Sequence, residues 1–239
     1  MKLALVLTIG ILGGATAAAA DDCRHRADRE AALDTGGVRS VRIEAGAGEL
    51  RVEGRTGQTR VEATGVACAS SEQVLGQIRL TARREGNVIV IKAELPDGSG
   101  WGWSEQARLD MTVTVPRILP LEIDDGSGSA AIAHVGPATI KDGSGELTVE
   151  DVVGDLRIED GSGSVEVARV TGNVRLSDGA GSISVREVGG SVTVDDDGSG
   201  SIDVAAVKGD FTVSRDGSGG ISHRDVAGQV HVPSDHQNH

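Results

Sequence analysis

Six aspartates recur at one phase of a glycine-rich motif, and they are the residues best suited to chemistry. The motif is Asp-Gly-Ser-Gly or its alanine variant, and it begins at Asp125, Asp142, Asp160, Asp178, Asp197 and Asp216. Repeated carboxylates could form a calcium ladder, or each could close an Asx turn onto a backbone N–H. Calcium-binding nonapeptide solenoids place aspartate after the glycines and on both turns. Here aspartate precedes the glycines on one turn, which favours Asx turns and leaves calcium as the weaker alternative.

A serine lies between the glycines of the same motif, at Ser127, Ser144, Ser162, Ser199 and Ser218. Serine flanked by glycines can mark a hydrolase nucleophile, but that chemistry needs a strand–turn–helix setting and a histidine–acid pair. The serine recurs in every copy except one, where Ala180 replaces it. We therefore interpret it as a turn former, and the sequence predicts no catalytic residue.

Two further groups of side chains could contact a partner. Trp101 and Trp103 lie in a glycine-rich loop, and exposed tryptophans can stack on a sugar or on a partner's apolar surface. The alternative is that they pack on the end of the fold. The histidines of the C-terminal segment match no defined zinc or copper spacing, and we interpret them as solvated. They are His223, His231, His236 and His239.

The elements that must position these residues are short strands in a repeat of about eighteen residues. Successive aspartate motifs lie 17, 18, 18, 19 and 19 residues apart. Each unit holds two segments in which apolar and polar residues alternate, such as Ser164-Val165-Glu166-Val167 and Asn173-Val174-Arg175-Leu176. Alternation is typical of half-buried strands, but segments this short cannot bury an apolar face alone.

Stacking the units in parallel would bury those faces, with Val165 lying on Ile183 about 4.8 Å away. Differences in spacing must then be absorbed in turns, because a slip within a strand would reverse every side chain. The short unit lacks a residue near Gly136, and the long ones gain one around Gly189 or within Asp195–Asp197. We predict an all-β fold, a parallel β-solenoid of about six to seven rungs. The competing antiparallel sandwich would need hairpin turns between unlike strands.

The first half of the chain shows the repeat once, from Val41 to Val52. The pattern further predicts a helical turn within residues 70–76, a hairpin around residues 85–87 and a strand over residues 109–115. We expect residues 21–120 to form a β-rich cap that includes the first rung, because an open sheet edge invites aggregation. Residues 121–233 would form the solenoid repeats and residues 234–239 a polar tail.

The chain begins with the pattern of a secretory signal peptide. Lys2 precedes an apolar run from Leu3 to Leu12, and small residues close the segment at Ala20. We expect residues 1–20 to be cleaved, and we expect no lipid anchor because Asp22 directly precedes Cys23. No later stretch approaches the ~20 apolar residues of a transmembrane segment.

Cys23 and Cys68 are the only cysteines. In an exported protein an even count favours a disulfide, with free thiols or an incomplete metal pair as alternatives. The formal net charge of −13 argues against nucleic acid and anionic lipid as partners. With one phenylalanine, two tryptophans and no tyrosine, the chain does not suit a deep ligand pocket, which is normally lined by apolar and aromatic side chains.

With these repeats the chain resembles the DUF4097 family of auto-transporter adhesin head-like proteins, exported bacterial proteins whose short strands are separated by Ser-Gly or Gly-Ser-Gly turns. The resemblance runs from about Val38 to Val232 and includes Val113-Thr114-Val115-Pro116 just before the repeats. It implies a β-solenoid in the periplasm or outside the cell. It transfers no site residue and no ligand.

We therefore expect a non-enzymatic envelope or secreted protein, whose solenoid is a rigid scaffold or an adhesin-like module that binds an envelope protein or a glycan. A second hypothesis is an enzyme acting on polysaccharide, for which the fold offers precedent but the sequence offers no catalytic set. A third is a binding module that depends on divalent cations held by the aspartates.

Overall fold

The computed structural model describes residues 23–96 and 107–233. The predicted signal peptide, Trp101, Trp103, His236 and His239 lie outside the described residues.

In these ranges the chain forms twenty strands and one helix. They are β1 (His25–Asp34), β2 (Ser40–Glu44), β3 (Leu50–Arg55), β4 (Arg60–Ala69), α1 (Glu72–Leu75), β5 (Arg79–Glu85), β6 (Val88–Glu94), β7 (Ala107–Pro116), β8 (Leu121–Asp125), β9 (Ala130–Ala133), β10 (Ala138–Asp142), β11 (Gly145–Val152), β12 (Leu156–Asp160), β13 (Gly163–Val170), β14 (Val174–Asp178), β15 (Gly181–Val188), β16 (Val192–Asp197), β17 (Gly200–Val207), β18 (Phe211–Val213), β19 (Gly219–Val226) and β20 (Val230–His231).

The strands make two ten-stranded sheets. In sheet A the order is β1-β4-β7-β3-β9-β11-β13-β15-β17-β19, and in sheet B it is β20-β18-β16-β14-β12-β10-β8-β2-β6-β5. From β8 onward, the strands alternate along the chain between sheet B and sheet A. Each strand pairs in parallel with the equivalent strands of the neighbouring rungs. The predicted parallel β-solenoid is confirmed.

The core lies between the two sheets and is built from the predicted apolar columns. Val165 faces Ile183 across the β13–β15 ladder, and Val174 faces Val192 across β14–β16. All four side chains are at most 1% exposed. Burying a valine or isoleucine side chain contributes ~1.5–3 kcal/mol, and stacked units supply what one short strand cannot.

Glycine is required where the turns of successive rungs touch. Gly163 has φ +141°, and a Cβ there would lie 1.7 Å from the carbonyl oxygen of Gly145 in the previous rung. No side chain fits such a contact. The turn at the opposite edge uses left-handed residues that are not glycine, with φ between 55° and 60°, at His134, Asp151, Arg169, Glu187, Ala206 and Asp225.

The irregular spacing of the repeat has two local causes. The turn between Val135 and Ala138 holds one residue fewer than its equivalents, as predicted near Gly136. The extra residue of the first long unit lies in the predicted segment 195–197, but as a bulge in β16 and not in a turn, because the register shifts after Leu176. This bulge returns Asp197 to the inward side beside Asp178. The second long unit has the equivalent extra residue between Val213 and Asp216, since Val213 pairs with Val194 and Asp216 with Asp197.

The N-terminal strands join the same two sheets. β2 and β3 pair in parallel with β8 and β9, which confirms the predicted opening rung. On their other side β6 and β7 pair in parallel with β2 and β3 and so form a further rung. The hairpin β5–β6 and the helix α1, capped by Ser71, are as predicted.

β4 pairs antiparallel with β7, and β1 adds to β4 as the edge of sheet A. The predicted disulfide between Cys23 and Cys68 closes this edge, with Cα atoms 5.3 Å apart. Arg29 of β1 donates hydrogen bonds to the carbonyl oxygens of Ile78 and Leu75, at 2.8 and 2.9 Å. The edge strand is therefore fixed to the core by covalent and polar contacts.

Candidate functional site

The motif aspartates form one column at the inner corner of the solenoid. Each lies opposite its counterpart in the neighbouring rung, from Asp125 to Asp216. The first five side chains point inward because each closes a strand of sheet B, as Asp125 does two residues after Ile123. Asp216 follows β18 and joins the column through an isolated bridge to Asp197. Exposure is 3% for Asp125, 5% for Asp142, 8% for Asp160, 4% for Asp178 and 1% for Asp197.

The predicted Asx turn is found in part of this column. Asp178 accepts a hydrogen bond from the backbone N–H of Ala180, two residues on, at 3.2 Å, as an Asx turn requires. Asp125 instead accepts one from the adjacent residue, Gly126, at 3.0 Å. Among the described residues, no well-aligned hydrogen-bond donor reaches either oxygen of Asp142, Asp160 or Asp197. The backbone N–H groups of Gly143 and Ser144 nevertheless lie close enough to Asp142 to offset part of the rise in its pKa. Buried carboxylates with so few donors are costly when ionised.

The column holds its protons more tightly than ordinary carboxyl groups do. Burial and the neighbouring carboxylates raise the pKa of Asp125, Asp142 and Asp197 to about 6 and that of Asp178 to about 7. Burial also raises the pKa of Asp160. Adjacent carboxyl groups in such a stack share protons and titrate as a set.

The remaining candidate residues are the metal-ligating side chains, the motif serines and the histidines near the C-terminus. In the described residues, no group of three or more histidine, cysteine, aspartate or glutamate side chains is arranged to hold a metal ion. The motif serines lie in the turns, where the carbonyl oxygen of Ser162 accepts a hydrogen bond from Gly145 at 3.0 Å. His223 lies on the inward side of β19, with its ring 6.1 Å from that of Phe211.

A groove of about 750 Å³ lies on the outer face of sheet A. It is found where the sheet changes from the antiparallel strands β1, β4 and β7 to the parallel strands β3 and β9. The fold thus brings together strands that are far apart in the sequence, and no local motif marks the resulting surface.

One row of outward side chains crosses the groove from strand to strand. Glu30 faces Thr64, Thr64 faces Thr112, and Thr112 faces Arg51. All four residues are exposed. At a strand spacing of about 4.8 Å, Glu30 and Arg51 are roughly 14 Å apart. The row presents a carboxylate, two hydroxyl groups and a guanidinium group in a line.

The groups at the ends of this row are available to a ligand. Neither Glu30 nor Arg51 forms an ion pair with another described residue. Beside the row, Asp110 accepts a hydrogen bond from the backbone N–H of Glu49 at 3.0 Å, which fixes the β3 wall of the groove. The sequence did not predict this site because the antiparallel pairing of β4 with β7, and of β1 with β4, cannot be read from the repeat.

Comparisons with known proteins give similar structures but no family. No protein-family model matches the chain, and no curated protein matches it. A structure from Clostridium sporogenes, provisionally described as a cell adhesion protein, is 14% identical with a TM-score of 0.39, covering 87% of this chain and 96% of its own.

Two further structures come from Bacteroidetes. One from Parabacteroides distasonis, provisionally described as a lipid-binding protein, is 14% identical with a TM-score of 0.45, covering 87% of this chain and 94% of its own. One from Bacteroides fragilis, provisionally described as an adhesin, is 12% identical with a TM-score of 0.40, covering 88% and 98%. At these values none of them assigns a function to this chain. Separately, no helix in the described residues is long and apolar enough to cross a membrane.

Proposed function

We propose that this chain is an exported, non-enzymatic binding module of the adhesin-like kind, in which a rigid β-solenoid presents the sheet A groove to a glycan. The observation that carries the proposal is the row Glu30–Thr64–Thr112–Arg51 across the groove. A glycan offers hydroxyl groups that both donate and accept hydrogen bonds, and the row offers acceptors, donors and hydroxyl groups in turn.

The remaining features agree with this role. The disulfide between Cys23 and Cys68 favours an oxidising compartment, and hence export to the periplasm or beyond. Strand ladders with a buried core hold the groove residues in fixed positions, so little conformational entropy is lost on binding. As part of this proposal, we place the chain in the DUF4097 family. The proposal also gives it the adhesive role that is named for two of the compared structures.

The test is binding to an array of neutral, acidic and basic glycans, followed by titration calorimetry on any glycan that binds. The double variant Thr64→Val with Thr112→Val removes two facing hydroxyl groups without changing side-chain volume much. Each hydrogen bond contributes ~0.5–1.5 kcal/mol, so we expect affinity to fall about tenfold or more. The matched control is Thr193→Val with Thr212→Val, a facing pair on sheet B.

Unchanged affinity in the groove variant, or an equal loss in the control, would contradict the proposal. So would the absence of binding to every glycan class. Appearance of new reducing ends during incubation would favour the polysaccharide-acting enzyme instead, which needs a pair of carboxyl groups at the ligand.

A further inference from the structure

Both sheets have an open edge at the C-terminal end of the solenoid. β19 pairs with β17 on one side, and β20 pairs with β18. Within residues 23–96 and 107–233, no strand pairs with the outer side of either. The outward N–H and C=O groups of these strands are therefore ready to pair with another strand.

The inner face of this last rung is incompletely covered. Ile221 of β19 is only partly buried, whereas Ile202 one rung earlier is 1% exposed. Val226 and Val230 are likewise only partly buried, although Val207 and Phe211 before them are at most 1% exposed. The end of the core thus exposes apolar side chains between two unpaired strand edges.

The last rung also lacks the charge of the rest of the chain. Residues 219–231 contain one arginine, Arg224, one aspartate, Asp225, and two histidines, whereas the whole chain has a formal net charge of −13. Two such ends can approach each other without the repulsion that two other acidic surfaces of this protein would meet.

The geometry of the end favours one kind of occupant. Because the chain reverses between the two sheets, β19 and β20 run in opposite directions on the two sides of the same core. A single β-hairpin arm or extended peptide could pair with one edge only. A second copy offers both strands at the same separation, and one two-fold axis perpendicular to the sheets makes both pairs antiparallel at once.

We propose that the open end binds the same end of a second copy, so that β19 pairs with β19 and β20 with β20 and the two solenoids form one continuous rod. We place the two-fold axis at Ser222, a register that keeps inward side chains inward and brings Ile221 of one copy opposite His223 of the other at the joined core. The core then continues across the interface, and the apolar side chains of both last rungs become buried.

The first experiment is sedimentation velocity of the purified chain from about 1 to 200 μM. We expect a monomer–dimer equilibrium whose dimer has the frictional ratio of a rod, with dissociation in the micromolar range typical of small interfaces. Ile221→Lys puts a charge on each half of the interface and should weaken the dimer at least tenfold. Ile118→Lys is the matched control, because Ile118 is 83% exposed and far from the last rung.

A second variant keeps the test decisive if Ile221→Lys unfolds the last rung. Ser222→Cys adds a thiol on the outer face of β19, near the proposed two-fold axis, in a chain whose described cysteines are all in the disulfide. Mild oxidation should cross-link it into dimers, whereas Ser182→Cys, exposed in the same face of β15, should remain monomeric under denaturing electrophoresis.

A chain that stays monomeric over the whole concentration range would overturn the proposal. Protection of the β19 amides from hydrogen exchange in that monomer would show that the chain's own C-terminal segment covers the edge. A dimer that persists in Ile221→Lys, and whose Ser222→Cys form does not cross-link, would place the interface elsewhere and would equally overturn it.

Discussion

Asp160 lies directly opposite Asp178 in the parallel ladder of β12 and β14, and both carboxyl groups point into the core. Two carboxylates held this close in a dry environment cannot both ionise cheaply, so they favour a shared proton. The same pairing continues to Asp142 and Asp197 on either side. The protein therefore contains a line of coupled acids along its axis.

The first prediction concerns stability against pH. The folded-state pKa is raised to about 6 for three of these acids and to about 7 for Asp178, from an ordinary value of 3.8. Between about pH 4 and 7 the folded chain then holds more protons than the unfolded chain, so stability falls as pH rises. We expect urea unfolding to give roughly 2–5 kcal/mol more stability at pH 5 than at pH 7.5.

Acids with lowered pKa values act in the opposite sense at lower pH. Ion pairs lower the pKa of Glu44, Asp151 and Glu159. Their stabilisation is lost as pH falls through the unfolded-state pKa values of 3.8 for Asp and 4.5 for Glu, so stability should pass through a maximum at about pH 4 or below. A maximum at or above pH 7 would contradict the proposed coupling of the column.

The second prediction isolates one member of the column. Asp178→Asn keeps an oxygen that can accept the Ala180 N–H but removes a buried charge. We expect it to stabilise the fold by ~1–2 kcal/mol at pH 7.5 and to have little effect at pH 4.5, where the carboxyl group is protonated. Chemical denaturation at both pH values measures this, with exposed Asp124→Asn as the control.

The third prediction tests the contact between the turns. Gly163→Ala would place a Cβ 1.7 Å from the Gly145 oxygen at a φ that disfavours side chains. The two rungs must separate, so we expect a loss of at least ~3 kcal/mol or failure to fold. Gly36→Ala, where nothing lies within 4 Å, should change the free energy of unfolding by less than ~0.5 kcal/mol. Equal effects of the two substitutions would refute the close contact.

The fourth prediction distinguishes a rigid binding scaffold from a binding module that depends on divalent cations. The carboxyl groups from Asp125 to Asp197 are at most 8% exposed, whereas calcium takes several oxygen ligands that often include water, so we expect the column not to bind it. We expect calcium at 5 mM, an excess over ordinary extracellular sites, to shift the melting temperature by less than ~1 °C. A larger rise in melting temperature that magnesium does not reproduce, and that Asp178→Asn abolishes, would support calcium binding by the aspartate column.

The repeat predicts the register of the solenoid well because its information is local. Val165 and Ile183 occupy the same phase of successive units, and stacking is the one arrangement that buries both. The rung made by β6 and β7 was missed, although Asp97-Gly98-Ser99-Gly100 repeats the motif between those strands. The sequences of β6 and β7, which flank this motif, do not recur at the repeat spacing, so the periodicity could not identify them as a rung.

The site was harder to predict than the fold. Turn chemistry alone suggested that Asp142 would bond to a backbone N–H, whereas alternation after Ala138 and Ile140 points its carboxyl group into the core. The groove depends on β4 pairing antiparallel with β7 across about fifty residues, and that pairing leaves no periodic signal. Long-range pairing is set by the whole core, and a single sequence does not display it.

The bond between Cys23 and Cys68 also decides how the molecule would respond to mechanical load. Tension applied at the N-terminus passes through the sulfur atoms into β4, so the segment between the two cysteines, which are 45 positions apart, is not stretched. At the opposite end, tension reaches β20 and then β19, which detach one rung at a time. A protein anchored at its N-terminal side would therefore yield gradually from its far end and keep the groove intact longest.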